Sequence, residues 1–181
     1  MFKDILKDQL LGPEQVISPE MRHLVHRGEA LHYLLAEIDA GSFLEDPASY
    51  AQGINYACGL FNYSDPEGIT RCLIEFLRHP KINKFFNPQY RALNEKEVVD
   101  QCGNLRRIDR LVFIPLEAKP LTGFTEDKIL IIDYKAGEEH KEEHRGQIKE
   151  YLRLIGEIYP DRLCEGWLLY VDTREAVLVK G

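Results

Sequence analysis

An acid and a lysine close the most apolar stretch of the chain, Ile131-Ile132-Asp133-Tyr134-Lys135. A strand turns alternate side chains to opposite faces, so Asp133 and Lys135 share one face and Tyr134 takes the other. An acid and an ammonium at the end of a buried strand are costly unless they are paired or in use. A second acid, Asp109, sits in Arg107-Ile108-Asp109-Arg110, within the strand pattern that comes before. If the two strands are neighbours, two carboxylates and an ammonium converge at one sheet edge. Hard oxygen ligands on a divalent cation, with a lysine beside them, suit phosphodiester hydrolysis. The cation would offset charge developing on the phosphate, and the lysine would orient the attacking water or stabilise the charge-rich state. The same residues also fit plain ion pairs, Asp133 with Lys135 and Asp109 between two arginines. Spacing alone does not decide.

The elements that must position these residues fall into two halves near residue 90. Before it, Ser18-Pro19, Asp46-Pro47 and Asp65-Pro66 each pair an N-cap residue with proline at the first helical position. The first predicted helix carries Met21, Leu24, Val25, Gly28, Leu31, Leu35 and Ile38 at helical spacing and stops before Gly41. Pro47–Phe61 is a weaker helix, loosened by Gly53 and Gly59, and the helix after Asp65 ends at Pro80. After residue 90 the pattern predicts strands at Glu95–Asp100 and Leu105–Ile114 around a Gln101–Asn104 turn. A loop follows from Pro115 to Asp127, then Lys128–Tyr134, which is apolar enough to be a central strand buried on both faces. A helix over Glu143–Tyr159 and strands at Glu165–Val171 and Ala176–Val179 complete an α/β fold with a mixed sheet.

The pattern Arg107-Ile108-Asp109-Arg110-Leu111, then Ile132-Asp133-Tyr134-Lys135-Ala136-Gly137, resembles the PD-(D/E)XK nuclease superfamily. It is most similar to the RecB/AddA-type nuclease domain of UvrD-type helicase–nucleases. Arg27-Gly28-Glu29-Ala30-Leu31-His32 is similar to that family's segment ending in a metal-binding histidine, and Gln147-Ile148-Lys149-Glu150-Tyr151 to its Q-x-x-x-Y motif. Glu165–Val171 resembles its closing strand. The resemblance implies a restriction-endonuclease-like core with a central mixed sheet flanked by helices, plus an N-terminal helical segment. It implies one nuclease domain over 1–181, with 1–90 mainly helical and 91–181 the sheet core. Asp109, Asp133 and Lys135 would be catalytic, and Mg2+ or Mn2+ would be held by His32, Asp109, Asp133 and the Tyr134 backbone carbonyl. Glu95 or Glu97, on one strand face, would match the family's additional acid. Gln147 and Tyr151, at i and i+4 on one helix face, would brace Lys135 or touch the DNA backbone. Two positions depart from the family's usual motif, Ile108 where proline is common and Asp133 where glutamate is common; both variants occur in the helicase-linked branch.

Without the resemblance, His32 reads as a core histidine beside the apolar stripe, and His23, His26, His79, His140 and His144 carry no chemistry. Trp167 reads as core. Arg106, Arg110, Lys141, Arg145 and Lys149 form either a DNA track or a solvated charged face.

Composition narrows the class. The chain has 181 residues, 44% hydrophobic and 29% charged, enough to bury a core. It has no apolar run long enough to span a membrane. Thirty acids against 23 bases give −7, the wrong sign for coating nucleic acid by bulk attraction. Cys58, Cys72, Cys102 and Cys164 are scattered, which predicts reduced thiols with neither a zinc site nor an iron–sulfur cluster. With no secretory profile at Met1–Asp4, a cytoplasmic protein is expected. The resemblance implies a helicase motor in cis or in trans that delivers single-stranded DNA; no Walker A loop is present, so ATP hydrolysis would reside elsewhere. The competing reading is a nuclease-fold scaffold or DNA-gripping module without catalysis. Such a domain would be expected to have lost Asp109, Asp133 or Lys135, and all three are present.

Overall fold

The structure, a computed structural model, describes residues 18–115, 127–137 and 141–180. The loop predicted after Pro115 and His140 therefore lie outside the described residues.

Two of the three Ser/Asp-Pro signatures start helices as expected. Ser18 accepts a hydrogen bond from the Met21 amide at 3.2 Å and opens α1, Pro19–Glu37. Asp65 accepts from the Gly68 amide at 2.8 Å and opens the helix at Pro66–Arg78. Between them the reading needs correction. α1 stops at Glu37 because Ile38 is extended, and Asp39 caps a new short helix, α2 (Ala40–Glu45), through the Ser42 amide at 2.8 Å. Gly41 therefore lies inside a helix and does not end one. Asp46-Pro47 starts a 3-10 turn, Pro47–Tyr50, with no side-chain cap, and α3 follows at Ala51–Leu60. The helix at Pro66–Arg78 is α4.

The sheet has five strands in the order β1-β2-β3-β4-β5. These are β1 Arg91–Val99, β2 Leu105–Pro115, β3 Asp127–Lys135, β4 Cys164–Tyr170 and β5 Glu175–Val179. β1, β2 and β3 run antiparallel, β3 and β4 parallel, and β4 and β5 antiparallel. The β1–β2 turn closes on Asp100, whose Oδ1 accepts from the Cys102 and Asn104 amides at 2.8 Å each, with Gly103 at φ 84°. The parallel pair needs a crossover, supplied by α5, Lys141–Ile158.

The helices flank both faces of the sheet. β3 is central, and its pleat divides two cores: Leu130, Ile132 and Tyr134 pack under α1–α4, Ile129 and Ile131 under α5. Trp167 is half-buried against Phe85, ring centroids 5.0 Å apart. Among the described residues no helix is long and apolar enough to cross a membrane.

Gly166 permits the close seat of α5 on β4. A Cβ there would collide with Ile148 Cγ2 and press on Leu152 Cδ1 at 3.0 Å. Gly166→Ala should therefore cost about 1–3 kcal/mol by overpacking. Ile148→Ala in the same chain should recover part of that loss. Urea unfolding of both single variants and the double variant checks this, and strict additivity would remove the steric explanation.

Candidate active site

The predicted residues meet where β2 and β3 part. Their last paired residues are Arg110 and Ile132. One step further the ladder would set Asp109 opposite Asp133, but the strands separate, and Asp109 Oδ2 accepts the Tyr134 amide at 2.8 Å. A carboxylate thus takes an amide at the point where strand pairing ends. Asp109 and Asp133, 8% and 1% exposed, are the buried charged residues among those described.

Lys135 is held from two sides. Its Nζ lies 2.7 Å from Asp133 Oδ2 and donates to Gln147 Oε1 at 3.0 Å. Gln147 Nε2 donates to Tyr151 Oη at 2.8 Å, and that hydroxyl donates to the Arg107 carbonyl at 2.9 Å. One turn of α5 is thereby tied to β2, and the glutamine oxygen is fixed toward the lysine. Tyr151→Phe removes both the donor to a strand carbonyl and the acceptor for Gln147. It should destabilise the fold by about 1–3 kcal/mol; a urea midpoint unchanged from the parent would show that the brace carries no strain.

His32 reaches the site from α1, with Nδ1 3.4 Å from Asp109 Oδ2 and its ring edge-on to Tyr134, centroids 6.0 Å apart. Burial works against its charge, but the Asp109 carboxylate outweighs burial and holds the imidazole above its ordinary value. Asp109 shows the reciprocal effect: burial opposes its charge, yet His32, Lys135 and the Tyr134 amide hold it below the usual carboxylate range. At Asp133 burial wins over Lys135, and with Asp109's repulsion added the carboxyl is pushed up to about 6. Burial also disfavours the Lys135 ammonium, but the two aspartates outweigh it and raise its pKa. The carboxyls are pushed in opposite directions, as expected for acids sharing one site.

The structure separates the two candidate glutamates. Pairing of β1 with β2 skips Glu95, between Asn94↔Arg110 and Lys96↔Ile108, and Glu95 has φ 50°. This backbone kink holds Glu95 half-buried, with Oε2 2.7 Å from Arg107 Nε. Burial and the charges of Asp109 and Glu37 push its pKa up against Arg107 and His32. Glu97 is exposed. Sequence reading missed Arg107 because its part here is partly a backbone carbonyl, which leaves no trace in residue type.

The five predicted bases do not form one track. Arg106 pairs with Glu150 at 3.0 Å. Arg110 donates to Asn94 Oδ1 at 2.8 Å and lies 4.8 Å over the Phe86 ring, under the helices. Lys141, Arg145 and Lys149 lie exposed along α5.

As a donor set, two carboxylates and an imidazole suit a hard divalent cation. Asp133 Oδ2 is buried, with the Lys135 ammonium 2.7 Å away as its close partner. With Asp133 turned to Lys135, no three His, Cys, Asp or Glu side chains are gathered at metal-binding spacing among the described residues. A cation would have to share Asp133 with the lysine. Compared with models of known families and with curated proteins, the chain matches none.

Proposed function

We propose that the chain is a metal-dependent deoxyribonuclease, hydrolysing phosphodiester bonds in the manner of the PD-(D/E)XK nucleases it resembles. In this reading the five-strand sheet is a restriction-endonuclease-like core. The observation that carries it is the meeting of buried Asp109, buried Asp133 and Lys135 at one strand end. His32, Asp109, Asp133 and the Tyr134 carbonyl would hold Mg2+ or Mn2+. When bound, the cation supplies positive charge to the phosphate and acidity to water.

The chain's own residues do the rest. Lys135, fixed by Gln147 and Tyr151, directs its ammonium at the attacking water or at the charge growing on phosphate oxygens. His32 keeps Asp109 ionised, and Tyr134's amide fixes its orientation. Burial keeps bulk water from screening these charges. The net charge of −7 fits a module whose strand is brought to it by a helicase motor in cis or in trans.

The test is incubation with end-labelled single- and double-stranded DNA in Mg2+, Mn2+ or EDTA. Shortening of label in either metal and none in EDTA is expected. No cleavage in any condition, with DNA still bound, would leave the scaffold reading in its place.

A further inference from the structure

We propose that the groove between α5 and the edge strand β5 is a holding path for one nucleic-acid strand, running along α5 away from Lys135. The inference rests on the nuclease reading for the identity of its ligand, and it assigns a surface that the catalytic residues do not include.

The groove, about 400 Å3, is lined by Glu142, Arg145, Gly146, Lys149, Leu178 and Lys180, with Val179 beneath. Three cations face one acid, in a chain that is −7 overall. The cations are available. Lys149 and Lys180 have no ion-pair partner among the described residues, and Arg145 is only within 3.8 Å of a Glu142 that is 93% exposed. A pair so open to solvent is readily exchanged for phosphate.

One feature leaves room in the groove for a flexible strand. Gly146 leaves the wall bare, with nothing within 4 Å of where its Cβ would stand. A glycine inside a helix costs about 1 kcal/mol relative to alanine, and no close packing requires this one. The volume is on the scale of a small-ligand pocket, room for a nucleotide or two of one strand and not for the side of a duplex.

The groove also leads from the site. Tyr170 is the β4 partner of Lys135, its hydroxyl lies 3.4 Å from His144 Nδ1, and Lys141 Nζ stands 5.7 Å from its ring centroid. Both His144 and Lys141 belong to the first turn of α5, and Arg145 and Lys149 follow on the same helix. On the sheet side, Gly166 pairs with Val179. The four steps along β4 from Tyr170 back to Gly166 span roughly 13 Å, the reach of a few nucleotides. An acidic peptide would satisfy the cations too, but it would have no reason to start at a phosphodiester site.

The test measures anisotropy of fluorescein-labelled oligothymidine with the whole chain in EDTA, so that binding is read without cleavage. The parent should bind with a log–log salt slope of about −2, from about three phosphates, one per groove cation, at about −0.7 each. Lys149→Glu/Lys180→Glu should weaken binding at least about tenfold at low salt. Gly146→Glu should do likewise with a melting temperature at or above the parental one, since its side chain enters open space and a helical glycine is removed. Gly53→Glu, the same change at an exposed glycine of α3 with equally open space, should bind as the parent does. Unchanged binding by the folded groove variants overturns the proposal. So does an aspartate-rich peptide that binds more tightly than oligothymidine and loses affinity in the same variants, which would make the groove a protein-docking face. If the groove variants lose binding but the parent cuts nothing in either metal, the nuclease reading falls and the groove stands. If the parent cuts and the groove variants bind normally, only the groove falls.

Discussion

Asp133→Asn and Lys135→Ala should each lower metal-dependent cleavage of labelled DNA by at least about 10^3-fold, an effect of about 4 kcal/mol on the transition state. The two losses have different origins. Asparagine keeps the shape at position 133 but removes the anion that would hold the cation, while folding improves because a buried carboxyl with a raised pKa no longer has to ionise. Alanine at 135 removes the ammonium that Gln147 aims, and it leaves Asp133 buried without its cationic neighbour. That variant should therefore lose more stability at high pH than at low pH, where Asp133 protonates. Circular dichroism and cleavage measured on the same samples separate folding from chemistry. A well-folded variant of either kind with near-parental cleavage would remove these residues from the active site.

The metal-free protein should lose stability as pH rises from about 5 to 8, and a divalent cation should reverse that loss. Asp133 has its folded pKa raised from an ordinary value near 3.8 to about 6. Its contribution is complete below its ordinary value and is lost as pH climbs through 6. A rise of roughly two units corresponds to about 3 kcal/mol between the two ends. His32 acts in the same direction: raised by Asp109, it stabilises fully below 6.5 and loses that contribution as pH passes its folded pKa. Asp109, held below its ordinary value, loses its contribution only as pH falls through its folded pKa, outside this window. A cation competes with the protons on the same groups, so its affinity should grow with pH. At a hundred times its dissociation constant it adds about 2.7 kcal/mol, about 5–10 °C in melting temperature for a chain of this size. His32→Ala should shrink that shift without abolishing it. Melting curves across pH in EDTA, Mg2+ and Mn2+ decide the matter; a melting temperature indifferent to both metals at every pH would count decisively against a cation site.

Much of this arrangement was legible in residue types, and its failures have physical reasons. The almost unbroken apolarity of β3 marked it as central, and Asp133 and Lys135 stood out against it. Ser18-Pro19 and Asp65-Pro66 marked helix starts because each cap side chain reaches an amide three residues on. Asp46-Pro47 carries the same letters but makes no such bond, and only a 3-10 turn forms. Arg110 reads as one of the surface bases, although period two places it with Val112, on the face that α1–α4 cover. Counting the pleat would have corrected it. Glu95 was harder, because a positive φ at a glutamate inside a strand has no compositional signal. The groove could not be read from sequence at all: Gly146 and Lys180 line one groove only once α5 has packed on β4 beside β5.

The kink at Glu95 bears on solubility as well as on the site. β1 is an outermost strand of the sheet, and its unpaired side could template a strand from another molecule. A flat nine-residue edge would invite that pairing. The kink interrupts it midway, and Lys96 and Glu97, both exposed, place opposite charges directly after the break. An incoming strand would lose alignment at the residue where this chain turns Glu95 inward. The same backbone distortion that carries an acid toward Asp109 thus blunts the sheet's open edge against aggregation.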